Sequence, residues 1–205
     1  MNTIIHETMV LGPTDVYSMY HGSEMVLIEV HENYQKRSYR NRYFISGPNG
    51  IIQLSIPLVK GKNHRTPIRD VRISYDENWV HQHLGTIKSC YGSAPYFIHY
   101  DHLLFRAFQK KYVFLLDLNN ALFETVIGII GLNINIGRTE AYYRHYDYGD
   151  FRNLFSIKKR RVSSIKYPQV FEEKFGFISG LSILDLVFCT GPESKLYLSR
   201  MKEEQ

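Results

Sequence analysis

The segment HENYQKRSYRNRY, residues 31–43, gathers groups able to hold an anion and to move a proton. His31 and Glu32 are candidate proton-transfer residues, because histidine titrates near neutrality and a glutamate buried beside it can have its pKa raised into the useful range. Lys36, Arg40 and Arg42, with Asn41 between the arginines and Tyr34 close by, form a candidate clamp for an anionic small molecule. Guanidinium groups grip carboxylate or phosphate through two parallel hydrogen bonds, and lysine adds a point charge. In an extended segment positions 40 and 42 share a face, as a clamp requires. The competing reading is that Arg40 and Arg42 pair with Glu32, Asp70 or Asp76 and merely staple the chain.

Other chemistry finds less support. His81 and His83 form an H-x-H pair, but on a helix these positions diverge by about 200° and no third ligand stands nearby, so no metal is expected. GxGxxG, GxxxxGK[ST] and GxSxG are absent, which removes the usual dinucleotide, P-loop and hydrolase-elbow chemistries and leaves no cofactor to assign. Gly12-Pro13 before Thr14 and Asp15 reads as a turn or helix start.

An apolar strand, MVLIEV (25–30), feeds directly into the polar segment, the usual place for a site in an open α/β sheet. It is expected inside the sheet, with its C-terminal end opening onto the site. YFIS and IIQLSIPL flank GPNG, so 43–57 reads as a β-hairpin with positive φ angles at Asn49-Gly50. VKGKNHRTP is a candidate lid, and VRISY (71–75) alternates like a short strand. Helices are expected at about 79–90, within 100–111, through Leu118, Leu122, Val126 and Ile130 with Asp117 as cap, and at 180–188 before a break and restart at TGPES. Residues 139–155, dense in tyrosine, have no clean period and are expected to form a lid or irregular layer. The fold class is therefore α/β: one domain over 1–205, with a mixed sheet, the hairpin and a mostly helical C-terminal half.

The chain has 205 residues, 44% hydrophobic and 14% aromatic, enough to bury a sizeable core. No export signal or membrane span is read, so a cytoplasmic location without membrane insertion is expected, with Cys90 and Cys189 as free thiols. The net charge of +5 is modest. Its basic clusters at Lys36–Arg42, Lys60–Arg69 and 158–161 lack the continuous basic and aromatic strip that nucleic acid requires. The oligomeric state is not encoded in any motif.

HENYQKRSYRNR, the hairpin with LSIPL, Trp79 and His83, IKSCYGSAPYFIHY, DFRNLFSIKK, YPQVFEEKFGFISGLSILDLVF and TGPES occur in an order that resembles the WbqC-like family, in its Bacteroidetes-type branch. The chain departs from the family pattern in VLGPTDVY, where Asp15 replaces a glutamine, in HLGT after the match at His83, and at Cys189. The resemblance implies a setting among genes for O-antigen, other surface polysaccharides or specialised metabolites. Among the matched positions, Tyr91, Pro95 and Tyr96 are expected to line an apolar wall, Asp150 with Arg152 to form a pair that presents Lys159, and His83, Tyr91, Tyr96, Arg152 and Lys159 to contact substrate. Gln169, Asp185 and Glu193 are expected in buried hydrogen-bond networks. Two function classes follow: a transferase or ligase-like enzyme acting on a phosphorylated, nucleotide-linked or carboxylate substrate, and a binding protein for an anionic metabolite or nucleic acid.

Overall fold

Two apolar runs that each end in glutamate, TIIHE and MVLIE, lie side by side as β1 (Thr3–Glu7) and β2 (Met25–Glu29). They pair in parallel from Thr3 opposite Met25 to Glu7 opposite Glu29. The computed structural model describes residues 2–59, 66–158 and 163–203. Parallel strands need a crossover, and here it carries α1 (Thr14–Tyr20). A hairpin follows, β3 (Arg42–Gly47) with β4 (Gly50–Ser55), then α2 (Trp79–Tyr91), α3 (Phe97–Gln109) and α4 (Leu115–Ile130). Two short strands, β5 (Asn135–Arg138) and β6 (Gly149–Asp150), complete a four-stranded parallel sheet in the order β5-β2-β1-β6. The chain ends with α5 (Glu172–Phe175), α6 (Ile183–Thr190) and α7 (Ser194–Glu203).

The expected α/β class therefore holds, its mixture of strand directions divided between the parallel sheet and the separate antiparallel hairpin. Strand β2 occupies an interior position, as its apolar run requires. The helices fall near their expected places, although α3 begins at Phe97, ahead of the expected 100–111, and α6 begins at Ile183 with Ser182 as its cap rather than at 180. Leu115, Leu118, Leu122, Val126 and Ile130 of α4 are buried, and Gly131 ends that helix at φ 71°, with its N–H on the Ile127 and Gly128 carbonyls.

Several local expectations are corrected. Asp117 sits in the first turn of α4, where it complements the helix dipole, and Phe114 occupies the cap position. The hairpin turn is centred on Pro48 and Asn49, and Gly50 alone takes the positive φ, at 107°. VRISY makes only isolated bridges, Ile73 to Leu58 and Arg72 to Phe114, because its neighbours are single residues rather than a strand. The candidate lid around VKGKNHRTP falls largely on residues 60–65, outside the described residues. Cys90 and Cys189 are both free and buried, as expected. No helix among the described residues is long and apolar enough to cross a membrane.

Candidate functional site

The C-terminal edge of the parallel sheet collects the charge. β1 ends on Glu7 and β2 on Glu29, paired in register, while Thr139 follows β5 and Asp150 ends β6. Glu7 is 2% exposed and Glu29 is fully buried. Carboxylates so deep must be paired or hydrogen-bonded. Arg40 and Arg152 do this, each reaching across the sequence.

Arg40, 1% exposed, donates from Nε to Glu32 Oε1 at 2.7 Å and from Nη2 to Glu32 Oε2 at 2.5 Å. Nη2 also reaches Asn153 Oδ1 at 3.1 Å, and Nη1 lies 3.9 Å from Glu7 Oε1. Burial pulls the Arg40 pKa down, but bonding to Glu32 and the charge of Glu7 more than compensate and hold it raised. Asn153, at φ 60°, closes the arrangement by donating its backbone N–H to Glu7 Oε2. Asparagine is among the few side chains that enter the left-handed region readily, which lets the chain turn here to reach Glu7.

Arg152 uses all five of its N–H donors. Nε and Nη2 hold the two oxygens of Asp150 at 2.9 and 2.6 Å, and Nη1 meets Glu29 Oε2 at 3.2 Å. Nη1 and Nη2 also meet the carbonyls of Tyr143 and Arg144, at 2.9 and 3.3 Å. Those hydrogen bonds hold the Asp150 carboxyl below the usual range. Glu29 in turn accepts from the His31 backbone N–H, Thr139 Oγ1 and Tyr146 OH. The 139–150 segment is thus tied at both ends to the sheet and in its middle to Arg152, forming a wall over the strand ends.

Between that wall and the 31–35 segment lies a cleft of about 800 Å³, lined by His31, Glu32, Asn33, Tyr34, Gln35 and, from the wall, Tyr142, Arg144, His145, Asp150, Arg152 and Asn153. The His31 ring nitrogen Nε2 is 3.1 Å from the Thr139 carbonyl. A carbonyl only accepts, so this contact puts a proton on Nε2 and leaves Nδ1 as the ring nitrogen that faces the chemistry. Arg144 is exposed, and among the described residues its side chain has no hydrogen-bond or ion-pair partner.

The cleft brings together four of the expected site residues: His31, Glu32, Tyr34 and Arg152. For Glu32, Tyr34 and Arg152 the contacts differ from expectation. Glu32 gives both oxygens to Arg40, and Tyr34 gives its hydroxyl to Asn41 Oδ1 at 2.9 Å. Arg152 is fully engaged within the protein. The clamp of Lys36, Arg40 and Arg42 does not form. Residue 40 precedes β3 rather than lying in it, so the two arginines do not share a strand face. Arg40 turns inward to Glu32, the stapling alternative. Arg42 and the exposed Lys36 do not line the cleft, and Asn41 is buried with its amide on the Ile56 carbonyl. Lys159 lies outside the described residues.

Of the remaining expected binding residues, Tyr91 and His83 are buried in the interior and Tyr96 is half-buried. Tyr91 donates to Asp185 at 2.8 Å and accepts from the Ser46 N–H, and Gln169 reaches the other Asp185 oxygen at 2.7 Å, the buried network expected of Gln169 and Asp185. Burial raises the Asp185 pKa to about 6. Glu193 is exposed and stands outside it. Tyr96 packs against Gly191, where an added Cβ would strike its ring. His83 packs against Trp79, Tyr43 and Phe108, with Nδ1 3.0 Å from Tyr43 OH.

Burial lowers the His83 pKa to about 4. A depressed histidine contributes stability that is complete above its unfolded pKa of about 6.5 and is lost as pH falls through the folded value. Denaturant titrations should find the stability advantage of wild type over His83→Asn shrinking by roughly 2–3 kcal/mol between pH 7 and pH 4. An advantage that stays constant over that range would contradict a buried neutral ring.

Glu7, Glu29, Arg144 and Asn153 were not anticipated. The available signal was the repeated pattern of an apolar run closed by glutamate, TIIHE and MVLIE. Compared with known families, residues 15–162 match the WbqC-like protein family, a span that includes every cleft-lining residue, and no curated protein or solved structure matches. The chain belongs to the WbqC-like family.

Proposed function

We propose that this WbqC-like family member is a group-transfer enzyme of surface-polysaccharide (O-antigen-type) or specialised-metabolite biosynthesis, acting on an anionic small molecule bound in the cleft at the strand ends. The observation that carries the reading is the pairing, in one cleft, of a histidine whose Nδ1 lone pair is available with an arginine, Arg144, that has no partner among the described residues. Open α/β sheets place ligands at the carboxyl ends of their strands. In this reading an attacking hydroxyl or amine gives its proton to His31 Nδ1 as its lone pair forms the new bond. The electron pair of the bond that breaks departs with the anionic group held by Arg144. Glu32, in the cleft lining, and Arg40 beside it act as positioning residues, since both oxygens of Glu32 are occupied.

A second reading, a non-catalytic protein for an anionic metabolite, is favoured by the same saturation: Glu29, Glu32 and Asp150 all face arginine, leaving His31 and His145 to transfer protons. Nucleic acid fits less well, because Glu32 and Asp150 interrupt the basic lining.

Calorimetry with inorganic phosphate and mass spectrometry of reactions with candidate phosphorylated substrates test both. Arg144→Ala should weaken phosphate binding about ten- to hundredfold, the worth of a charge-assisted contact. His31→Ala should keep that binding while lowering turnover by about a hundredfold or more. Phosphate binding without turnover by wild type would favour the binding protein. Phosphate affinity indifferent to Arg144 would remove the anion site.

A further inference from the structure

Tyr142 stands in the cleft wall two residues from Arg144 and is 56% exposed, an unusual position for so large a ring. The Arg152 guanidinium sits 5.0 Å from the centroid of the Tyr142 ring and 4.7 Å from that of Tyr146. That guanidinium cannot drift, because all five donors are fixed, two of them on the carbonyls of Tyr143 and Arg144 that flank the exposed ring and the free arginine. Tyr142 is therefore an exposed ring of the cleft lining with a fixed cation against one face. Among the described residues Arg152 is the one cation that sits over it.

A cation on one face draws π density away from the other. Such a ring is a poor site for a second cation and a good one for an electron-rich planar ring, the geometry by which bases stack on aromatic side chains and arginine planes. Asn33 and Gln35 line the same cleft with exposed amides suited to the edges of a base. The volume of about 800 Å³ lies within the range of small-molecule sites. We infer that the cleft takes a nucleotide, its base stacked on Tyr142 and its phosphate on Arg144, either free or as the carrier of a sugar. This rests on the anion-binding reading above and narrows its ligand class.

Isothermal titration with AMP, UMP, ribose 5-phosphate and adenosine separates the parts. Stacking of one base contributes about 1–3 kcal/mol, so AMP and UMP should bind about ten- to hundredfold more tightly than ribose 5-phosphate. Tyr142→Ala should erase that advantage and leave ribose 5-phosphate affinity unchanged, whereas Tyr142→Phe should retain it. Because the ring is exposed, both variants should fold, and unchanged melting temperatures verify this. Ribose 5-phosphate binding as tightly as AMP, or Tyr142→Ala weakening both alike, would overturn the nucleotide assignment while the anion site stands. Adenosine binding as tightly as AMP, with Arg144→Ala silent, would instead overturn the anion site and the phosphate half of the assignment. No binding by any of the four would end both.

Discussion

Arg40→Ala is expected to destabilise the unliganded protein by about 3–5 kcal/mol, because it strands Glu32 and Glu7 in a buried site without their cation. For a chain of this size that corresponds to a melting temperature lower by roughly 10 °C. Arg40→Lys should recover little, since an ammonium cannot meet both Glu32 oxygens and Asn153 in one plane. Replacing both Arg40 and Glu32 by methionine should cost less than Arg40→Ala, as removing a buried pair altogether avoids the uncompensated charge. Thermal and denaturant unfolding of the three variants checks this order. An Arg40→Ala protein that melts like wild type but no longer binds phosphate would mean that Arg40 faces the ligand after all.

Arg152→Ala is expected to act on the cleft more than on the whole fold. It removes five hydrogen bonds at once and leaves Glu29, at 0% exposure, with only neutral donors. The relief open to the molecule is local: the 139–148 wall lifts and water reaches Glu29. Global unfolding should therefore shift by only a few degrees. Trypsin cleavage after Arg144 should accelerate at least about tenfold, as local opening exposes the segment. Phosphate binding in the cleft should disappear. Arg152→Lys should behave like the alanine variant, because one ammonium cannot replace a five-donor fork. Cleavage at the wild-type rate would show that the wall is held by something other than Arg152.

The two arginines also mark the boundary between what could be read along the chain and what could not. The strand at 25–29, the hairpin, the long helices and the break at TGPES follow from side-chain period, glycine and proline chemistry, and capping, all of which act between residues a few positions apart. The polar stretch after the strand was legible for the same reason, and His31 and Glu32 do line the cleft. β5 and β6, with four residues and two, are too short to carry a period and exist because an edge of the parallel sheet is there to pair with.

Which charges are consumed inside the protein was decided by contacts 113 and 123 residues apart, Arg40 with Asn153 and Arg152 with Glu29. By type and spacing alone Arg40 was a clamp residue, while Arg144 lay in the tyrosine-rich segment with no role of its own. Folding turns Arg40 inward, because a buried carboxylate must find a cation, and the strand-terminal glutamates take the arginines that the topology delivers to them. The sequence by itself determined the apolar strand that opens onto polar residues and the helices that pack around it. Only the tertiary structure decided which arginines neutralise the sheet's own acids and which is left exposed at the cleft, because charge compensation in a low-dielectric interior is a property of neighbours in space.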